Sequence, residues 1–286
     1  MADPSTLFPG KVFISTALEA LDTKTQMSGA LIRVYLMRAA MAGIIIGTMY
    51  LTNYAIIAGF AEVGNGDLAR VGAMVGAAVF GAALVLIYYS KSELLTSNMM
   101  IVSIGAYYHR TGLGNSLRVL GLCYLGNALG GLLIAVLVRF STLIDGAVGE
   151  QVDLAVEHKL AYIGEGVTGW GDLLVRAIFC NFMINIAMLV VYNGFVKEDL
   201  AKCLVMVASV FVFAFLGFEH SVANTVLFLI VGLQGGLDVA AATGNVAIAL
   251  VGNFIGGGVL IGIYYAYAND DTRAERRRRR RHPARD

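Results

Sequence analysis

Two short polar segments, SELLTSN at residues 92–98 and FEHSVAN at residues 218–224, interrupt apolar stretches of the chain. They contain the side chains best suited to handle a polar solute or a proton, His220 and Thr96. An ionisable group inside an apolar stretch is rare and normally faces a pathway, although a histidine can also be a hydrogen-bonded core residue. The chemistry to expect is therefore hydrogen bonding to a small solute, with proton exchange as a second role.

The two segments belong to an internal repeat with one offset of 126 positions. The aligned pairs are Glu93 with Glu219, Asn98 with Asn224, Gly126 with Gly252, and Asn127 with Asn253. Lipid offers no partner to free backbone amides, so interrupted helices persist in a membrane only where they line a cavity or are buried in protein. Two matched interruptions predict a pore or a binding site.

The composition is that of an integral membrane protein. Hydrophobic residues make up 58% of the chain and charged residues 14%, with a mean hydropathy of +0.73, whereas soluble domains contain about 25% charged residues. The three cysteines, Cys123, Cys180 and Cys203, lie in apolar stretches without CxxC spacing or histidine partners. We expect no metal, disulfide or cofactor, and no enzyme activity.

A window of about 20 residues, the length that crosses the hydrocarbon core, predicts six spans. They lie near residues 39–60, 71–106, 117–140, 172–194, 200–232 and 244–267. The second and fifth are too long for one span and contain the polar segments, so each is predicted to be two half-helices joined at the membrane midplane by a non-helical elbow. Residues 11–36 are predicted to form an amphipathic helix at the membrane surface.

Most of the 21 Lys and Arg residues fall on one side of this topology. Cytoplasmic segments are rich in these residues, so both termini are predicted to be cytoplasmic. Each repeat has three spans, an odd number, so the second copy must enter the membrane in the opposite orientation. The predicted fold is all-α, with two inverted three-helix repeats and a site near the midplane.

The chain is predicted to divide into three parts. Residues 1–38 form a cytoplasmic segment with the amphipathic helix, residues 39–268 form the six-span domain, and residues 269–286 form an Arg-rich cytoplasmic tail. Six consecutive arginines at 276–281 predict a disordered segment that is attracted to anionic lipid. No nucleic-acid partner is expected.

The polar residues beside the elbows are predicted to support them. The carboxylates of Glu93 and Glu219 can satisfy free amides at a helix start, and Asn98 and Asn224 can bond backbone groups of the opposite repeat. Lys159 lies in an external segment, where it either attracts anions or is a solvated surface lysine.

Four segments together resemble the formate/nitrite transporter family: GFEHSVAN, ELLTSN, CNFMINIAM from Cys180, and VGNFIGGG. The resemblance extends from about residue 25 to 268 and implies an aquaporin-like protomer in a homopentamer of the cell inner membrane. Each protomer would have its own pore for a small monovalent anion or its conjugate acid.

The resemblance also assigns roles to individual positions. It implies a substrate pathway of His220, Thr96, Lys159, Asn181 and Asn253, with an outer constriction of Phe80 and Phe213 and an inner constriction of Leu84, Leu94 and Leu95. The family often has Phe where this chain has Leu95, which leaves the width of the inner constriction open.

Apolar constrictions around one histidine favour transport of a neutral acid. A bare anion faces a desolvation cost of several kcal/mol, whereas protonating an acid whose pKa is about 3 to 4 units below ambient pH costs roughly 4 to 5.5 kcal/mol. The family resemblance implies formate or nitrite as the substrate; hydrosulfide, acetate, lactate or a proton-coupled carrier of the same fold are alternatives, and the residues of the chamber do not separate these anions. A neutral-solute aquaporin is disfavoured because its elbows carry NPA motifs and no predicted span here contains proline. A receptor without transport leaves the paired elbows unexplained.

Overall fold

Every regular element in the computed structural model, which describes residues 7–271, is a helix. The elements are α1 (Lys11–Ala30), α2 (Ile32–Val63), α3 (Ala69–Phe80), α4 (Ala82–Tyr89), α5 (Leu95–Tyr107), α6 (Leu113–Arg139), α7 (Ala147–Gly164), α8 (Val167–Tyr192), α9 (Asp199–Phe215), α10 (Ser221–Gln234), α11 (Val239–Asn253), a π-helix (Phe254–Ile263) and α12 (Tyr264–Ala268). The tail predicted to be disordered begins at residue 269, but Asn269 is ordered and accepts a hydrogen bond from the amide of Gly10, at 2.7 Å; residues 272–286 of the tail lie outside the described part.

Within residues 7–271, five helical stretches are long and apolar enough to cross a membrane. They are Ile32–Val63, Ala69–Tyr89, Leu113–Arg139, Val167–Tyr192 and Val239–Ala268. The remaining predicted span is divided between α9 and the shorter apolar helix α10. The two predicted breaks are confirmed, because α4 ends before the first polar segment and α9 ends before the second.

The N-terminal helix is shorter than predicted. Helix α1 ends at Ala30, and residues from Ile32 onward already belong to the helix of the first span. Phe13 and Leu21, two of its apolar positions, are buried against the rest of the protein. Helix α1 therefore packs on the bundle through its apolar face.

The first elbow is held by one asparagine from α6. Asn127 Oδ1 accepts a hydrogen bond from the amide of Leu95, at 3.1 Å, and Asn127 Nδ2 donates to the carbonyl of Glu93, at 2.8 Å. The same Nδ2 donates to the carbonyl of Ala39 on α2, at 2.8 Å. One side chain thus satisfies the free backbone groups of the elbow and joins it to two spans.

The second elbow has the same arrangement around Asn253. Its Oδ1 accepts from the amide of Ser221, at 2.9 Å, and its Nδ2 donates to the carbonyls of Glu219, at 2.9 Å, and Ala177, at 2.8 Å. Each elbow group is the counterpart, at the offset of the sequence repeat, of the group that Asn127 bonds. The repeat found in the sequence is therefore also a repeat of hydrogen bonds.

Matched glycines bring the spans close enough for these bonds. A Cβ atom on Gly130 would lie 1.9 Å from the carbonyl oxygen of Ala40, and one on Gly256 would lie 2.0 Å from that of Ile178. Both distances are far below contact, so only glycine permits this backbone approach.

Candidate functional site

The two elbows bring His220 and Thr96 together. His220 is the residue before α10, Thr96 is the second residue of α5, and both are buried. His220 Nε2 and Thr96 Oγ1 lie 3.3 Å apart. The structure thus unites the two residues that the sequence singled out for chemistry.

The other ring nitrogen of His220 defines its tautomer. Nδ1 accepts a hydrogen bond from the amide of Ala223, at 3.1 Å, and so caps the start of α10. Because an accepting nitrogen carries no proton, the hydrogen of the neutral ring lies on Nε2 and donates to Thr96. Thr96 is fully buried and lines none of the cavities described below, so its hydroxyl orients the His220 ring.

Lys159 is part of a buried ion pair. Its Nζ lies 2.9 and 3.0 Å from the two carboxylate oxygens of Glu219, and the two residues are 7% and 2% exposed. Lys159 is therefore not a solvated surface lysine. Burial lowers the pKa of Lys159, but the Glu219 carboxylate opposes this, so that the pKa is raised overall and the ammonium stays charged at neutral pH.

Asparagines link this ion pair to α10 and α11. Asn224 Nδ2 donates to Glu219 and to Asn245 Oδ1, the latter at 2.8 Å, and Asn245 Nδ2 donates to the carbonyl of Lys159, at 2.9 Å. Asn245 is buried and was missed by the sequence reasoning. The only indication of Asn245 in the sequence is that it is a polar residue within an apolar span.

The first elbow carries a matching ion pair. Glu93 pairs with Lys24 of α1 and also accepts from Asn98 Nδ2, at 3.1 Å. Asn98 further donates to the hydroxyl of Tyr35, at 3.1 Å, and lies 3.3 Å from Cys123 Sγ. Lys24 was not among the predicted site residues.

Two predictions about elbow support are wrong. Glu93 and Glu219 do not satisfy the free amides at the helix starts, because Asn127 and Asn253 do this and the carboxylates pair with lysines instead. Asn98 and Asn224 do not bond backbone of the opposite repeat. They bond side chains of their own half, and the physical reason is that a buried carboxylate needs donors.

Asn181 and Asn253 lie behind the elbows. Asn181 Nδ2 donates to the carbonyl of Thr96, at 3.1 Å, and to that of Asn253, at 2.7 Å. Asn185, which the sequence reasoning missed, donates to the same Thr96 carbonyl at 3.2 Å. All three asparagines are fully buried and line none of the cavities described next, so they act by positioning Thr96 and the second elbow.

Three cavities follow one another through the protein. We call the first the outer vestibule, about 190 Å³, lined by Tyr50, Tyr54, His158, Lys159, Phe80, Phe213 and His220 among others. We call the second the constriction, about 20 Å³, lined by Phe80, Phe213, Leu84, Leu94 and His220 with other apolar residues. We call the third the inner vestibule, about 560 Å³, lined by Lys24, Arg38, Lys91, Glu93, Leu84 and Leu94 among others.

Shared side chains join these spaces in order. Phe80 and Phe213 separate the outer vestibule from the constriction, with their ring centroids 6.2 Å apart and their planes at 89°. Leu84 and Leu94 line both the constriction and the inner vestibule. Leu95, predicted to be part of the inner constriction, lines neither space; its side chain is buried and its amide is held by Asn127.

The constriction is small and apolar. A volume of about 20 Å³ has room for roughly one water molecule, and His220 is the only polar residue among those lining it. Within residues 7–271, no group of three His, Cys, Asp or Glu side chains could hold a metal ion. Apolar helices long enough to cross a membrane surround two vestibules, and the vestibules meet at one constriction. This arrangement is that of a membrane channel or transporter.

Comparisons with known proteins agree with this class. The sequence model described as formate/nitrite transporter matches residues 11–267. The chain is 27% identical to the nitrite transporter NirC of Salmonella typhimurium over 233 residues, 80% of this chain and 81% of that protein. It is also 27% identical to the formate channel FocA of Haemophilus influenzae over 221 residues, 68% of this chain and 73% of that protein.

Solved structures share the fold. An FNT family ion channel superposes with a TM-score of 0.73 at 24% identity, over 89% of this chain and 98% of that one. A pentameric formate channel with formate bound gives 0.65 at 21% identity, over 82% and 96%. The chain belongs to the formate/nitrite transporter family, a family of membrane transporters and channels.

Proposed function

We propose that this protein is a channel for small monovalent weak-acid anions, formate or nitrite foremost, which cross the constriction as neutral acids. The observation that carries this proposal is an apolar constriction with a single polar residue, His220, between two vestibules that each contain a lysine. The names of the relatives, nitrite transporter and formate channel, support the same class of substrate.

The outer vestibule would bind the anion before it is neutralised. Lys159 is held by Glu219, so the pair carries no net charge, but an ammonium has three donors and only its two contacts with Glu219 are described. Tyr50 and Tyr54 line the same vestibule and could add hydroxyl groups. The anion would therefore meet hydrogen-bond donors just outside the Phe80–Phe213 pair.

Neutralisation would then make the constriction passable. A bare anion in an apolar space of this kind costs several kcal/mol more than in water, whereas a neutral acid needs only one or two hydrogen bonds. His220, the one polar residue that lines the constriction, can supply one of these by turning its Nε2–H from Thr96 to the acid. Because Nδ1 caps α10, we assign His220 a polarising role and assign the transferred proton to bulk water.

The oligomer and its location follow from the same proposal. Helix α6 exposes Leu125, Leu129 and Leu133 in this single chain, and we assign such surfaces to lipid or to neighbouring protomers of a homopentamer. We place both termini in the cytoplasm and the protein in the inner membrane, because most Lys and Arg residues fall on the α1 side. A proton-coupled carrier would differ by concentrating its substrate against a gradient.

Widening the constriction tests the proposal. We expect Leu84→Ala to let lactate and acetate through at rates close to formate, because Leu84 borders the constriction and the inner vestibule. Leu86→Ala, on the exposed side of the same helix, should leave selectivity unchanged. Stopped-flow uptake of formate, nitrite, hydrosulfide, acetate and lactate into proteoliposomes gives the comparison. No anion-dependent uptake by the parent would refute the proposed function.

A further inference from the structure

The two vestibules differ in charge. In the outer vestibule the lining lysine, Lys159, is neutralised by Glu219. The inner vestibule is lined by three cations, Lys24, Arg38 and Lys91, and one carboxylate, Glu93. Lys24 pairs with Glu93, so Arg38 and Lys91 leave the inner vestibule with a net positive charge.

Neither of these two cations has a carboxylate partner among residues 7–271. The Arg38 guanidinium contacts Met27 Sδ, at 3.4 Å, and the Lys91 ammonium lies 5.0 Å from the ring centroid of Tyr88. A guanidinium has five N–H donors in a planar fork, so most donors of Arg38 remain available. Lys91 is exposed, and its backbone φ of 56° lies in the left-handed region.

We propose that Arg38 and Lys91 form a binding site for a multiply charged oxyanion in the inner vestibule, and that inorganic phosphate is its simplest ligand. The fork of an arginine matches the oxygens of a phosphate in a bidentate manner, and a lysine adds a compact point charge. The inner vestibule, at about 560 Å³, is far larger than a formate or nitrite ion needs.

Such an ion would block the pore without crossing it. A dianion that gains one proton is still charged, so it faces the same desolvation cost at Leu84 and Leu94 that excludes a bare monovalent anion. Occupancy of the inner vestibule would place it between the monovalent substrate and the constriction. Phosphate is thus expected to inhibit by competition from the α1 side only.

Direct binding tests the site without reference to transport. Titration calorimetry of the purified full-length protein with inorganic phosphate should show binding that chloride at equal ionic strength does not reproduce. Arg38→Gln and Lys91→Gln should each raise the dissociation constant about tenfold, the loss expected for one charge-assisted contact. Arg33→Gln is the matched control, because Arg33 is exposed on the same helix as Arg38 and does not line the cavity. No binding by the parent, or equal loss in Arg33→Gln, would overturn the proposal.

Transport supplies the second readout and rests on the proposed function. Phosphate on both sides of the proteoliposome membrane should slow formate uptake by the parent, and this inhibition should weaken in the Arg38→Gln and Lys91→Gln proteins. Formate uptake that phosphate does not affect would reject the proposed block of the pore by phosphate and leave the channel function intact. A protein that binds phosphate but moves no anion would reject the channel function and leave the site intact.

Discussion

Replacing Lys159 with methionine is expected to destabilise the protein by about 3–5 kcal/mol, the cost of leaving a buried charge without its partner. Glu219 is 2% exposed and is held by Lys159 and Asn224. Without the ammonium, Glu219 must either stay charged in an apolar setting or take up a proton. Chemical unfolding of the detergent-solubilised protein measures the loss.

Two further variants make this result specific. The double variant Lys159→Met with Glu219→Gln should recover most of the stability, because the glutamine oxygen still accepts from Asn224 and no charge is buried. Lys24→Met should cost less than Lys159→Met, because the side chains of Lys24 and Glu93 are 13% and 7% exposed. If the double variant were no more stable than Lys159→Met, burial of an unpaired charge would not be the cause.

Replacing His220 with asparagine is expected to lower anion flux about 10- to 100-fold with little loss of stability. Asparagine is a good N-cap residue, so it can replace Nδ1 as the acceptor for the amide of Ala223. Its shorter side chain does not place an N–H where the Nε2–H of His220 lies, so a neutral acid in the constriction keeps an unsatisfied acceptor at a cost of roughly 1–3 kcal/mol. Stopped-flow uptake and thermal unfolding of the same preparation separate the two effects.

Leucine at position 220 removes both the cap of α10 and the N–H donor in the constriction. His220→Leu should lose the flux and about 1 kcal/mol of stability from the missing cap. His109→Asn is the control, because His109 is exposed beyond the end of α5 and has φ of 55°, which asparagine tolerates. Unchanged flux in His220→Asn would show that the ring makes no contribution in the constriction.

The sequence predicted the elbows because their pattern is periodic at long range. The shared offset of Glu93 with Glu219 and of Asn127 with Asn253 survives in the structure as matched hydrogen bonds. A repeat of this kind reveals which positions are equivalent. It does not reveal which atoms bond, and so the roles of the glutamates were predicted wrongly.

The partners that were missed lie outside the repeated segments. Lys24 is on α1, which precedes the first repeat. Asn245 is on α11, and no recognisable motif surrounds it in the sequence. A lysine partner for Glu93 could have been inferred, because Glu93 is equivalent to Glu219 and a buried carboxylate needs a cation. The position of that lysine in the sequence could not be inferred, since α1 meets Glu93 only through tertiary packing.

Proton movement tests most directly whether the substrate crosses as a neutral acid. In proteoliposomes with a pH-sensitive dye inside, an inward formate gradient should acidify the lumen by roughly one proton per formate taken up. A membrane potential set with potassium and valinomycin should not change the rate of uptake, because a neutral species carries no charge through the constriction. His220→Leu proteoliposomes give the background from the lipid itself. Uptake that follows the membrane potential and leaves the lumen pH constant would contradict the account.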